Sequence, residues 1–147
     1  MASGWNLCDE MSLRSDLTHH GRTFTDEFTM IDNTNALTGP QLYELAMAAP
    51  FPPSHLMQRV SGLTSERDFA KHGCDLFDAL SSAAPKPLFE FRSILDFGVG
   101  SGRLARMFKN FEGAYYGVDV DHELVDWVAS ALPWVVAFAT EPRAALP

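Results

Sequence analysis

Three glycines at alternate positions, Gly98, Gly100 and Gly102, follow a short apolar run, Ser93-Ile94-Leu95-Asp96-Phe97, whose one acid is Asp96. Ile94, Leu95 and Phe97 read as a short strand buried on both faces, the kind found in parallel sheets. Glycines directly after such a strand let the backbone turn tightly and let a ligand approach without meeting a Cβ. Three of them cost backbone entropy, and nothing in the sequence asks for them on structural grounds. Leu104, Met107, Phe108 and Phe111 recur at helical spacing, which predicts a helix starting near Ser101 with its free N–H groups facing the loop. Strand, glycine loop and helix N-terminus together make a site for a nucleotide-like ligand. A second strand is predicted over Ala114–Asp119. It ends in an acid at about the 20-residue interval expected of a carboxylate that accepts hydrogen bonds from both ribose hydroxyls. A helix should follow, capped by Asp121 and favoured at its positive end by Glu123, with Leu124, Val125, Val128, Ala131 and Leu132 as its apolar face.

Over about residues 92–141 the chain resembles the class I S-adenosylmethionine-dependent methyltransferases. Asp96-Phe97-Gly98-Val99-Gly100-Ser101-Gly102 matches the first motif of that family, and Tyr116-Gly117-Val118-Asp119 matches the second. The resemblance implies S-adenosyl-L-methionine as the cofactor. It implies that Asp96 holds the methionine end, partly through water, while Gly98, Gly100 and Gly102 line the cofactor. Asp119 would bind the ribose, Val120 and Asp121 would flank the adenine, and Glu141, after the apolar run Trp134–Ala139, would stand near the adenine amino group. One alternative is an NAD(P)-dependent oxidoreductase-type dinucleotide-binding domain, but its fingerprint needs a glycine where Arg103 stands and normally has no acid at the place of Asp96. A phosphate-cradling P-loop fits less well, because no Gly-Lys-Ser/Thr follows. A third possibility is a non-catalytic module that binds S-adenosylmethionine without chemistry.

These elements imply an α/β, Rossmann-like methyltransferase fold with an N-terminal helical extension. The family's sheet has seven strands, with the third, second, first and fourth side by side. This 147-residue chain supplies three, so its first strand is expected at an edge, without the charges that usually protect one. The chain therefore reads as a fragment, the front half of an enzyme, truncated or completed by a partner. In this family a base that takes the acceptor's proton usually follows the fourth strand, so no catalytic residue is named.

The remaining chain divides into a loosely ordered arm over 1–35, a helical lead-in or cofactor lid over 36–87, and the partial cofactor-binding domain over 88–147. Short helices are expected over 40–49, with Thr38 as cap, and over Ser54–Ser61, closed by Gly62. Ser65, with Asp68 three residues on, starts a longer helix whose apolar face is Phe69, Leu76, Phe77 and Leu80 and whose middle Gly73 weakens. Arg59 has two readings, a partner for the methionine carboxylate or, preferred, a solvated helix residue. Met57 and Val60 read as core.

Other residues take plainer roles. His19-His20 lacks a metal-site pattern, and His72 and Cys74, two apart on a helix, do not face each other. Two distant cysteines suggest free thiols in a reducing compartment. Arg103, Arg106 and Lys109 read as a solvated basic face, Tyr115 and Tyr116 as strand residues, and Trp127 and Trp134 as core or surface. Met1–Asp9 has neither a basic n-region nor an apolar core, so a cytoplasmic location is expected. No run approaches a bilayer span. A net charge of −8 disfavours nucleic acid and anionic membranes, leaving a small-molecule or protein methyl acceptor.

Overall fold

The computed structural model describes residues 37–141; the expected 1–35 arm and His19-His20 lie outside the described residues. The architecture is α/β. Strands β1 (Ser93–Phe97), β2 (Ala114–Asp119) and β3 (Val135–Ala139) form one parallel sheet in the order β1-β2-β3. Leu95 aligns with Tyr116 and Tyr116 with Val136. That row lies on an open face, where Leu95, Tyr116 and Val136 are 53%, 38% and 49% exposed. Phe97 is more exposed still. β1 is therefore an edge strand with one open face rather than a strand buried on both. Ile94, Tyr115 and Val135 face the other way, into the core.

Four α-helices accompany the sheet, α1 (Gly39–Ala48), α2 (Ser54–Ser61), α3 (Glu66–Ala83) and α4 (His122–Ala131), and all but α2 contribute to the main core cluster. Their ends follow sequence chemistry. The N–H and hydroxyl of Thr38 both donate to Gln41 Oε1, at 2.9 and 3.0 Å. Gly62 ends α2 in the left-handed region (φ 72°), its N–H bonded to Gln58 O. Ser65 Oγ accepts from the Asp68 N–H. α4 packs on β2 and β3, and α1 on α3. The inward face of α3 is Phe69, Ala70, Gly73, Cys74 and Phe77; the expected Leu76 and Leu80 are exposed, because the face is turned by about one residue toward the small side chains. Gly73 is there for clearance: a Cβ on it would lie 2.9 Å from Arg103 O.

The long helix expected from Ser101 does not form. Turns lead instead into a 3-10 segment, Ala105–Phe108, all of it buried. It keeps short-range backbone bonds, the Arg106 N–H to Gly102 O (3.0 Å) and the Met107 N–H to Leu104 O (2.9 Å), and tertiary contacts enclose it. Phe108 stands among Phe77, Phe89, Phe111 and Tyr115, with ring centroids 5.0–5.7 Å away. Arg106, expected in solvent, is 1% exposed. Its Nε and Nη2 donate to Ala46 O (2.6 Å) and Ala49 O (2.7 Å), and its guanidinium lies 3.9 Å from the Phe51 ring centroid. Pro50 stops α1 and leaves carbonyls at its end without helical partners; Arg106 satisfies two of them from below. Burial pushes its pKa down to about 10, opposed by Glu66, so the group stays charged at neutral pH.

Replacing Arg106 should therefore be costly. Arg106→Ala leaves two buried carbonyls unpaired and a void among Phe51 and Phe69, a loss of roughly 2–5 kcal/mol. Arg106→Lys, with a point charge in place of a fork, should lose roughly 1–3 kcal/mol. Urea unfolding followed by circular dichroism checks both.

Candidate functional site

The glycine loop leaves β1 and turns back over the end of β2. The N–H groups of Gly98 and Val99 both donate to Val118 O, at 2.8 and 3.0 Å. Gly98, Gly100 and Gly102 all have positive φ (85°, 54° and 79°), a conformation in which a Cβ is strained. Their surroundings differ. A Cβ on Gly98 would meet nothing within 4 Å, whereas one on Gly100 would lie 2.8 Å from Val60 Cγ1 and one on Gly102 2.6 Å from Leu132 Cδ1. The expectation that nothing structural needs these glycines is thus corrected: the backbone conformation favours glycine at all three, and Gly100 and Gly102 also leave room for Val60 and Leu132. Gly98 alone faces open space.

Asp119 fastens the loop. Its Oδ2 accepts the Gly100 N–H at 2.8 Å, and its Oδ1 accepts the Asp121 N–H at 3.0 Å. Asp121 in turn caps α4, its Oδ1 accepting from the N–H groups of Glu123 (3.0 Å) and Leu124 (3.4 Å). The Thr140 N–H donates to Asp119 O, bringing the end of β3 to the same rim. Asp96, Gly98, Gly100, Gly102, Asp119 and Asp121 are thereby gathered at the C-terminal ends of β1 and β2. Val120 and Glu141 stand exposed beside them.

Asp96 is less well provided for. It accepts the Tyr115 hydroxyl at 2.9 Å, a partner the sequence reading missed because it sees Tyr115 only as a strand residue. Burial raises the Asp96 pKa, the Tyr115 bond lowers it and the nearby Asp119 charge raises it again, with a net upward shift. Burial, with Asp96 alongside, pushes the Tyr115 hydroxyl strongly upward. An apolar trough of about 380 Å³ runs along β1 between Leu80, Leu88, Phe91 and Leu104; of the acids at the rim, only Asp96 reaches it.

Arg59 is neither free nor poised for a carboxylate ligand. Its Nη1 lies 3.0 Å from Asp121 Oδ2 and 2.7 Å from Glu123 Oε2. His55 Nε2 lies 3.2 Å from Glu123 Oε1. Hydrogen bonds from Arg59 come first among the causes that hold both carboxyls below their ordinary range. Val60, read as core, sits at the surface against Gly100.

With that geometry in view, comparison with protein-family models, curated proteins and solved structures finds no match to the chain. The site must be read from its own chemistry.

Its acids should titrate in opposite directions. The Arg59-bonded pair contributes stability above the unfolded carboxylate range, lost as pH falls through the depressed folded values. Asp96 has the opposite sign, its neutral form being favoured and stability falling as pH rises through its raised value. Carboxyl-carbon NMR titration should place Asp96 above 3.8, Asp121 below 3.8 and Glu123 below 4.5. Arg59→Gln should bring Asp121 and Glu123 back up while leaving Asp96 unmoved.

Proposed function

We propose that the chain binds S-adenosylmethionine at the glycine loop and forms the cofactor-binding part of a methyltransferase with a Rossmann-like fold. The observation that carries this reading is the occupation of the loop amide by the chain's own carboxylate. A loop that cradles a pyrophosphate offers its N–H groups to the ligand. Here the Gly100 N–H is given to Asp119, and the segment after the loop is a buried 3-10 turn rather than an α-helix with its positive end exposed. Asp96, Asp119 and Asp121 together make the rim acidic. An acidic rim repels a dinucleotide's phosphates and favours a ligand that carries positive charge and hydroxyls instead.

A nucleoside with a sulfonium and an ammonium group fits those demands. Each Asp119 oxygen accepts one backbone N–H and has a further lone pair for a ribose hydroxyl. Asp96 has one oxygen bonded to Tyr115, leaving the other for an ammonium. Gly98 gives the ligand its closest approach to backbone, and Val120, 58% exposed, offers apolar surface to an adenine ring. Bound there, S-adenosylmethionine supplies an electrophilic methyl group on a positively charged sulfur. An acceptor, a small molecule or a protein, would have to be held in line with the methyl–sulfur bond, so orientation would provide much of the rate. No residue of the described chain is assigned as the acceptor's base.

Calorimetric titration with S-adenosylhomocysteine and, separately, with NAD tests the reading. The homocysteine form should bind. Asp119→Asn, which keeps an acceptor for Gly100 but loses the charge, should weaken it about tenfold or more, equivalent to about 1.4 kcal/mol. Binding of NAD alone, or of neither by a chain shown to be folded by circular dichroism, overturns the proposal.

A further inference from the structure

Helix α2 stands apart from the rest of the helical layer. Leu56 and Met57 are buried, yet neither belongs to the main core cluster shared by α1, α3, α4 and the sheet. Pro50, Pro52 and Pro53 stiffen its approach, and Gly62, at φ 72°, turns the chain at its end. Its remaining side chains reach across the glycine loop. Val60 fills the space beside Gly100 and supplies the three nearest heavy atoms that a Cβ there would meet. One turn of chemistry further, Arg59 bonds Asp121 and Glu123, and His55 bonds Glu123. Of the rim acids, Asp121 is thus already engaged, together with the neighbouring Glu123, by a cation from the same chain.

We propose that α2 is a latched cover over the glycine loop, with Arg59 as the latch. The closed form withholds Asp121 and the Gly100 surface from a ligand, and the ligand enters when the Arg59 bonds break and the C-terminal end of α2, carrying Arg59 and Val60, lifts from the loop at Gly62. The proposal rests on the functional reading above for the identity of the ligand, but the latch itself is a property of the free chain. The side chains of Arg59 and Glu123 are 44% and 53% exposed, so the bonds are open to water and screened by salt. That makes a latch that can be released, unlike the buried Arg106. A closed state also lowers apparent affinity in proportion to the open fraction, so a chain that is nine-tenths closed binds about tenfold more weakly than one held open.

Two variants break the latch from opposite sides, Arg59→Gln on α2 and Glu123→Gln on α4, and two measurements read them. Hydrogen exchange of the ligand-free full chain should show faster exchange over residues 54–62 in both variants, with α1 and α3 unchanged. Unchanged exchange in α2 overturns the latch whatever the ligand proves to be. Titration with S-adenosylhomocysteine should show both variants binding about three- to tenfold more tightly than the parent chain, and added salt should tighten binding by the parent chain but not by the variants. Weaker binding by Arg59→Gln alone would make Arg59 a ligand contact and overturn the proposal. Faster exchange without binding by any form would uphold the latch and overturn the functional reading instead.

Discussion

The hydrogen bond from the Gly100 N–H to Asp119 Oδ2 is the constraint around which the site is arranged. It ties the turn after β1 to the end of β2, so the loop cannot open away from the sheet without stranding a carboxylate. The same carboxylate receives the Asp121 N–H, which sets Asp121 where its own side chain caps α4. One acid therefore fixes a loop, a strand end and a helix start. The positive φ at Gly98, Gly100 and Gly102 follows from that anchoring, since only a tight turn returns the backbone to within reach of β2 in so few residues.

Arg106 plays the corresponding part for the helical layer. A guanidinium enclosed by Phe51 and Phe69 and bonded to the last carbonyls of α1 couples that helix to the segment following the loop. It also accounts for the missing helix after Ser101. The apolar spacing of Leu104, Met107, Phe108 and Phe111 points to one helical face, but Arg106 is drawn inward to Ala46 and Ala49 as well, so that Ala105–Phe108 is covered throughout. Buried on every side, those residues keep only a short 3-10 turn. Periodicity reports one face of an element. It cannot report that the other face will also be covered.

That distinction separates what was legible from what was not. The strands, the Thr38, Ser65 and Asp121 caps, the Gly62 terminator and the meeting of Asp96 with the glycines and Asp119 all depend on residues near one another in sequence or on a pattern spanning two strands. They could be read. The contacts of Arg106 with Ala46 and Ala49, of Arg59 with Asp121 and Glu123, and of Val60 with Gly100 join residues about 40 to 60 positions apart, and a basic residue looks the same in sequence whether it meets water, a carboxylate or a carbonyl. The open face of β1 escaped for a related reason. Ile94, Leu95 and Phe97 are equally apolar, and burial on two faces differs from burial on one only through what the rest of the fold brings to each.

The two acids of the glycine pattern are not equivalent. Asp119 already serves the fold, accepting two backbone N–H groups and holding the loop, so its presence would be explained even if nothing bound there. Asp96 has one hydroxyl partner, and its carboxyl is raised by desolvation, meaning that the fold disfavours the charge where it stands. A group that costs stability in place, at a strand end beside Gly98, which faces open space, is poorly explained by packing. Charge brought by a ligand reverses that cost, because a cation beside Asp96 stabilises the form that burial disfavours. On the proposed reading Asp96, more than the glycines or Asp119, is therefore the residue whose charge a cationic ligand would stabilise.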